Sequence, residues 1–344
     1  MSNLRQLAQS LGLSITTVSR ALDGYSDVSA KTRQRVVDAA ARAGYQPNAS
    51  ARRLRRRRAE LVAVTLPAAP GHIGPPHFLD ILSACAEQLA LSGLNLVIAP
   101  VPRGQSELEM CRRFVSGQRV DAMLLVRTKR RDERVELLQS CGIPFVTHGR
   151  TESAQPHAFL DGDGFSGFRD ATERFIADGH TLIGHIAGPQ EFSFAHHRRL
   201  GWEDALNRFK LTSELIVEGD PTEHGGYAAA KALMSATIKP TAILCATDEM
   251  AVGALRALRE VPDGNLVSIV GHDDLPMSAF TDPPLSTMRM NGEDIGVRIA
   301  TLLLRAINGE APELLQEIHP LEFLPRASHH RSQQLAVNDA DTYE

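Results

Sequence analysis

The N-terminal segment places apolar and polar residues with a helical period. In "LRQLAQSL" the positions Leu4, Leu7, Ala8 and Leu11 fall on one face of a helix. Gly12 ends that helix, since glycine takes the left-handed conformation at little cost. Ser14 caps a second helix that starts near Ile15 and buries Val18, Ala21 and Leu22. Two short helices joined by a tight glycine turn make a helix-turn-helix, and Ala8 supplies the small residue needed where the helices cross. A third helix, capped by Ser29, runs through "AKTRQRVVDAAARAG", with Val36, Val37, Ala40 and Ala43 facing the first two. Pro47 breaks the pattern, and Asn48 can cap a short further helix.

From Glu60 the period changes and strand-like runs alternate with helical ones. "LVAVTLP", "LNLVIAPV", "VDAMLLVR", "IPFVTHG", "LIGHIAG", "TAILCAT" and "LVSIVGHDD" read as buried strands. Between and after them, "FLDILSACAEQLALSG", "ELEMCRRFVSGQ", "RVELLQSCG", "GFRDATERFIADG", "HRRLGWEDALNRF", "DEMAVGALRALRE" and "NGEDIGVRIATLLLRAING" read as helices. Such β-α alternation predicts parallel sheets covered by helices on both faces.

Composition adds one sharp feature. Residues 1–58 hold twelve Lys/Arg and three Asp/Glu, a net of +9, whereas the rest holds 25 and 38, a net of −13. A small basic head on a large acidic body points to a polyanionic partner for the head. The run "ARRLRRRR" concentrates this charge around a single apolar residue, Leu54. The four cysteines are scattered without a CxxC pair and read as reduced thiols, not as a disulfide or zinc framework. No apolar run is long enough for a membrane span, and "MSNLRQLAQSLG" lacks the apolar core of a signal peptide, so a cytoplasmic location is expected.

Enzymatic signatures are sparse. None of these strands is followed by GxGxxG, and no GxxxxGK[ST], GxSxG or HExxH occurs. The pair Asp273–Asp274 has the composition of an acid/base set. It sits at the C-terminal end of a strand, where open α/β sheets bind ligands. No catalytic set, metal site or cofactor is expected.

The outward face of the second helix carries Ile15, Thr16, Thr17, Ser19 and Arg20. Hydroxyls can bond base edges or phosphates, Arg20 can grip guanine or phosphate, and Ile15 can touch a thymine methyl. A plain solvated amphipathic helix is the alternative. At this point the blocks "TVSRAL", "VSAKTRQRV" and "AGYQPNASARRL" resemble the DNA-binding head of the lactose/galactose repressor family of bacterial regulators. The likeness continues through "GHTLIGHIAGP", "RRLGWEDAL", "PTAILCATDEMAVGALRAL", "VSIVGHDDLP" and "DPPLSTMRMNGEDIG", covering about residues 3–326.

The resemblance implies an α/β chain with a three-helix helix-turn-helix head over residues 1–46 and a hinge over 47–59. A two-lobed periplasmic-binding-protein-like body with parallel sheets and three crossovers follows over 60–327, and then a disordered tail over 328–344. It implies DNA contacts from Ser14, Ile15, Thr16, Thr17, Ser19, Arg20, Asn48, Ala51, Leu54 and Arg55, with Leu54 wedging between base pairs in the minor groove. In the body it implies an effector site of Phe78, Arg127, His148, Arg150, Phe192, His196, Arg198, Trp202, Thr247, Asp248 and Asp273. The residues leave alternatives open: a helix cap for Asp248, core packing for Trp202, surface positions for His196 and His197, and ion pairs for Arg127 and Arg150.

Three departures from the family pattern stand out. "RRRR" replaces a short small-residue stretch after Leu54. His196 stands where many members carry arginine, and "ATD" replaces "AND" at Thr247. The expected function is repression of carbohydrate-utilisation genes by a homodimer on near-palindromic operator DNA, with a tetramer as a further state. Its face would lie on the helix over 78–92, and a sugar, an α-glucoside among the candidates, would release it. A nucleobase or other corepressor, or an activator, is the alternative.

The arginine run generates a first prediction. Changing Arg55–Arg58 to Gln should flatten the salt dependence of DNA binding, by roughly 0.9 in log–log slope for each phosphate no longer neutralised. Filter-binding or anisotropy titrations across a salt series measure that slope, and an unchanged slope would remove the phosphate role.

Overall fold

The computed structural model describes residues 4–23, 25, 27–45, 59–67, 76–102, 104–290 and 295–330. Asn48, Ala51, Leu54 and Arg55, and with them most of the expected hinge, lie outside the described residues. The chain divides into two units, Met1–Ala59 and Glu60–Glu344.

In the first unit three helices, α1 (Leu4–Leu11), α2 (Ile15–Leu22) and α3 (Ala30–Arg42), enclose a small core of Leu7, Ala8, Val18, Ala21, Val28, Val36 and Ala40. Gly12 at φ 65° turns the chain between α1 and α2. The Ser14 hydroxyl accepts the Thr17 amide at 2.9 Å and the Ser29 hydroxyl accepts the Thr32 amide at 3.2 Å, as the cap signals predicted. Val37 is 44% exposed and Ala43 is exposed, so the buried stripe of α3 is narrower than its periodicity suggested.

The second unit begins with a six-stranded parallel sheet in the order β11-β5-β4-β3-β1-β2. Its strands are β1 (Leu61–Pro67), β2 (Asn95–Val101), β3 (Ala122–Leu125), β4 (Phe145–His148), β5 (Ala158–Gly162) and β11 (Gln316–His319). Helices α4 (Pro76–Leu91), α5 (Glu107–Ser116), α6 (Glu133–Ser140) and α11 (Ile295–Ile307) accompany it. A second parallel sheet has the order β7-β6-β8-β9, from β6 (Ile183–Ala187), β7 (Ile216–Glu218), β8 (Ala242–Cys245) and β9 (Ser268–Val270). Its helices are α7 (Gly164–Ala177), α8 (Ser193–Arg208), α9 (Glu223–Ser235) and α10 (Asp248–Leu258). An antiparallel pair, β10 (Thr287–Met290) with β12 (Leu321–Leu324), joins the lobes beside the β5–α7 passage. The near-continuous apolar runs follow from this topology, because β1, β3, β6 and β8 are covered on both faces.

Strand β5, which the apolar pattern did not reveal, changes one reading. "GDGFSG" at 162–167 does follow a strand and open a helix with dinucleotide-like glycine spacing. Its glycines serve packing instead. A Cβ at Gly162 or Gly167 would press on Leu321 of β12, and one at Gly164 on Arg198. Asp163 caps the helix by accepting the Ser166 amide at 3.2 Å.

The expected disordered tail over 328–344 is contradicted at its start, and residues 331–344 lie outside the described residues. Ser328 and His329 are 3% and 4% exposed, with the Ser328 hydroxyl bonded to the Ile269 carbonyl at 2.7 Å.

Helices α9 and α10 pack backbone to backbone. A Cβ on Gly226 would meet the Met250 carbonyl, and one on Gly253 the Glu223 carbonyl. Gly253→Ala must therefore part the helices at a cost of about 1–3 kcal/mol. Urea denaturation should show this loss, and a variant as stable as the parent would contradict the close approach.

Candidate functional site

Two surfaces carry polar chemistry. On α2, Ser14, Ile15, Thr16 and Arg20 are exposed and Thr17 is half-buried. Arg20 is held in place by Asp27 at 2.6 Å and lies over the Tyr25 ring at 4.8 Å. Ser19 departs from expectation. It sits next to Leu22 around the helix, is 6% exposed, and its hydroxyl donates to Asp23 at 3.3 Å. The outward face is therefore Ser14, Ile15, Thr16, Thr17 and Arg20.

The second surface is the cleft where strand ends of the two lobes meet. From the first lobe, His148 ends β4 and its ring stacks near Phe78 at 6.5 Å between centroids. Arg150 lies two residues on. Its Nε donates to Asp161 at 2.6 Å, while its Nη2 is buried without a hydrogen-bond partner among the described residues. Arg127, at φ 51°, reaches across and sets its guanidinium 5.3 Å over the Phe192 ring of the second lobe.

From the second lobe, Arg198 projects from α8 between the Phe194 and Phe168 rings, at 4.9 and 5.8 Å. It donates to the Ala246 carbonyl and lies 3.9 Å from Asp273. Burial lowers its pKa from the ordinary arginine value, opposed by Asp273 and Asp161. Asp273 follows β9 at φ 115° and is 2.6 Å from His272 Nδ1. Half-buried His196 and His197 have pKa values lowered first by burial.

Three sequence-predicted effector residues have other employment. Trp202 is fully buried in the core with Phe168, Phe175 and Leu206, one turn further along the same face of α8 as Arg198. Thr247 is 7% exposed and caps α10 by accepting the Met250 amide at 3.3 Å. Asp248 is fully buried: Oδ2 accepts Leu275 N at 2.9 Å and Ser278 Oγ at 2.6 Å, and Oδ1 accepts Thr287 Oγ1 at 2.6 Å. It thus acts within its own lobe.

Sequence reasoning missed Asp161 and Glu249. Asp161 ends a strand that the apolar pattern did not reveal. Glu249 was absorbed into the first turn of α10. Burial and then Asp273 push the Glu249 carboxyl up to about 7, and burial pushes Asp248 up to about 6.

Beside the charged cleft lies a cavity of about 930 Å³ lined by Gln105, Arg127, Arg131, Gln190 and Phe192, among others. Arg134 also lines it, paired with Glu107 at 2.5 Å and Asp132 at 2.6 Å, and the Arg134 Nη2 donates to the Val126 carbonyl at 3.1 Å. The lobes are clasped along one edge. Ser193 N donates to Thr128 O at 3.0 Å, Arg130 N donates to Glu191 O at 2.8 Å, and Lys129 pairs with Glu191 at 2.9 Å.

Comparison with known proteins fits this geometry. Residues 3–48 match the family described as bacterial regulatory proteins, lacI family, and residues 172–329 match a periplasmic binding protein-like domain. The HTH-type transcriptional regulator AglR of Rhizobium meliloti is 36% identical over 336 residues, covering 95% of this chain and 94% of AglR. Among solved structures, a transcriptional regulator CelR–cellobiose complex is 30% identical with a TM-score of 0.72, covering 95% of this chain and 100% of that one. The lac repressor dimer bound to operator and the anti-inducer ONPF is 28% identical with a TM-score of 0.79, covering 96% and 99%.

The cleft carboxylates set a pH dependence. Folding raises Glu249 above its ordinary 4.5 to about 7, so it favours the protonated form. That contribution to stability is complete below about pH 4.5 and is lost as pH rises through 7, amounting to roughly 3 kcal/mol. Denaturant midpoints between pH 5 and 8 should fall with pH, and Glu249→Gln should remove much of that slope. An identical slope in the variant would place the titration elsewhere.

Proposed function

This chain belongs to the lacI family of bacterial regulatory proteins, and from that premise we propose how its two surfaces work. It is a DNA-binding transcriptional regulator. Two heads of a homodimer read the half-sites of a near-palindromic operator, each laying α2 in the major groove. The exposed set Ser14, Ile15, Thr16, Thr17 and Arg20 supports that role. Asn48, Ala51, Leu54 and Arg55 add hinge contacts in the minor groove. Exposed apolar side chains of the body, Leu79 and Leu91 on α4 with Met277 and Phe280, support a second copy as partner.

The effector is a neutral sugar bound in the cleft. The observation that carries this is the arrangement of Arg150 with Asp161 and of Arg198 with Asp273. Each is a fixed donor beside a fixed acceptor, the pairing that neighbouring hydroxyls of a sugar require. An anionic ligand would meet the carboxylates Asp161, Glu249 and Asp273, and a flat nucleobase would ask for more aromatic surface. Phe78, His148, Arg127, Phe192 and His196 complete the wall, and the adjoining cavity leaves room beyond a single ring. The relatives AglR and CelR are transcriptional regulators, and CelR has been solved with cellobiose.

The protein acts by switching operator affinity rather than by turnover, in the cytoplasm where its operator lies. Among the described residues no helix is long and apolar enough to cross a membrane. Sugar binding changes the lobe geometry, and only its differential affinity for the two states shifts operator binding. Each tenfold change in operator affinity takes about 1.4 kcal/mol of coupling.

A gel shift on the promoter fragment next to its own gene, with and without a panel of neutral sugars, tests this directly. A sugar should release the complex, and Asp273→Ala should bind the operator normally yet ignore the sugar. Release by a nucleobase instead, or a normal sugar response in Asp273→Ala, would overturn the assignment.

A further inference from the structure

Asp273 does not hold its own position. It and Asp274 are consecutive non-glycine residues at positive φ, 115° and 52°. Aspartate tolerates this region better than most residues, yet it persists only where surrounding bonds over-determine it. The Asp273 amide donates to Met288 O at 2.8 Å and the Asp274 amide to Thr287 Oγ1 at 3.3 Å, which fixes the backbone from one side.

The other side is fixed through the carboxylate of Asp274. Its Oδ1 accepts Arg326 Nη2 at 2.6 Å, and its Oδ2 accepts Arg289 Nη1 at 3.1 Å. Of the two, Arg326 is the better anchored. Its Nη1 donates to Leu285 O at 2.8 Å and its amide to Ser286 Oγ at 2.8 Å. The next turn then plugs the edge of the second sheet. Ser328 Oγ donates to Ile269 O at 2.7 Å and accepts Ser286 N at 2.7 Å, and His329 Nδ1 lies 2.8 Å from Ser286 Oγ. Arg289 is more exposed and shares itself with Glu322 at 3.1 Å.

We propose that Arg326 is the positioning residue of the effector loop. Through Asp274 it locks Asp273 in the conformation that faces Arg198, and the short turn after β12 exists in part to hold that guanidinium. This rests on the reading of Asp273 as an effector contact. Because Arg326 follows directly on the last crossing between the lobes, lobe movement and the pose of Asp273 are mechanically linked.

The test uses the full chain with Arg326→Ala, Arg326→Lys, Asp274→Asn and the Arg326→Ala/Asp274→Asn double variant. Hydrogen exchange of the segment 271–277 should quicken about tenfold or more in Arg326→Ala, as expected for losing a charge-assisted bond, while β6 and β8 are unchanged. The double variant should be no faster than Arg326→Ala alone, and Arg326→Lys should recover part of the protection. Calorimetry with maltose and cellobiose should show a matching loss of affinity, with operator affinity unaltered. Unchanged exchange would overturn the proposal, as would faster exchange with full sugar affinity. If neither sugar binds the parent protein, the effector reading fails for those sugars, and the exchange arm alone decides whether Arg326 holds the loop.

Discussion

The buried carboxylate of Asp248 is the tie on which the second lobe's side of the cleft depends. It gathers donors from three places: the amide of Leu275, the hydroxyl of Ser278 and the hydroxyl of Thr287. These belong to the loop after β9, the turn beyond it and the strand β10. Removing a carboxylate from water is costly, which is why its pKa rises to about 6 even with three donors. The same tie explains a glycine. A Cβ on Gly271 would collide with Asp248 Oδ1, so the strand end must carry none. Because α10 starts at this residue, the pose of Glu249 and the loop bearing Asp273 follow from it.

Much of the fold was legible because each long element had an unambiguous period. The head helices were framed by real caps at Ser14 and Ser29. The buried strands β1, β3, β6 and β8 were apolar on both faces, and α4 and α11 carried continuous apolar stripes. What escaped was short or disguised. Strand β5 reads "AFLDG", too short and too polar to stand out, and it carries Asp161. Helix α9 opens "EHGGYAAAK", where two glycines lower helix propensity. A Cβ on Gly226 would meet Met250 of α10 and one on Gly225 the Asp220 carbonyl, close approaches invisible in the hydrophobic pattern. β10, β11 and β12 are four residues each and take meaning only from their pairing.

The candidate site divided along a similar line. His148, Arg150 and Asp273 were expected from the family resemblance, and they lie at or just beyond strand ends. Residues on helices depended on rotation and on depth along the axis, which the sequence states poorly. Arg198 and Trp202 both lie on α8, four residues apart. The first turns toward the cleft between Phe168 and Phe194. The second fills the core beside His185, whose pKa burial lowers to about 4. Ser19 on α2 is the same case in miniature. One step around the helix converts an expected DNA contact into a hydrogen bond to Asp23.

The cleft thus contains two kinds of interaction with different consequences. The clasp formed by Thr128, Lys129 and Arg130 with Glu191 and Ser193 is internal to the chain and joins the lobes along one edge. The charged set is different: Arg150 keeps one buried nitrogen without an acceptor among the described residues, and Arg198 stands nearly 4 Å from Asp273. A buried donor left unmatched costs about 1–3 kcal/mol, and a ligand oxygen in the right place recovers it. An analogue lacking that oxygen recovers nothing, however well it fills the space. Selectivity in such a cleft therefore comes from matching polar groups more than from volume.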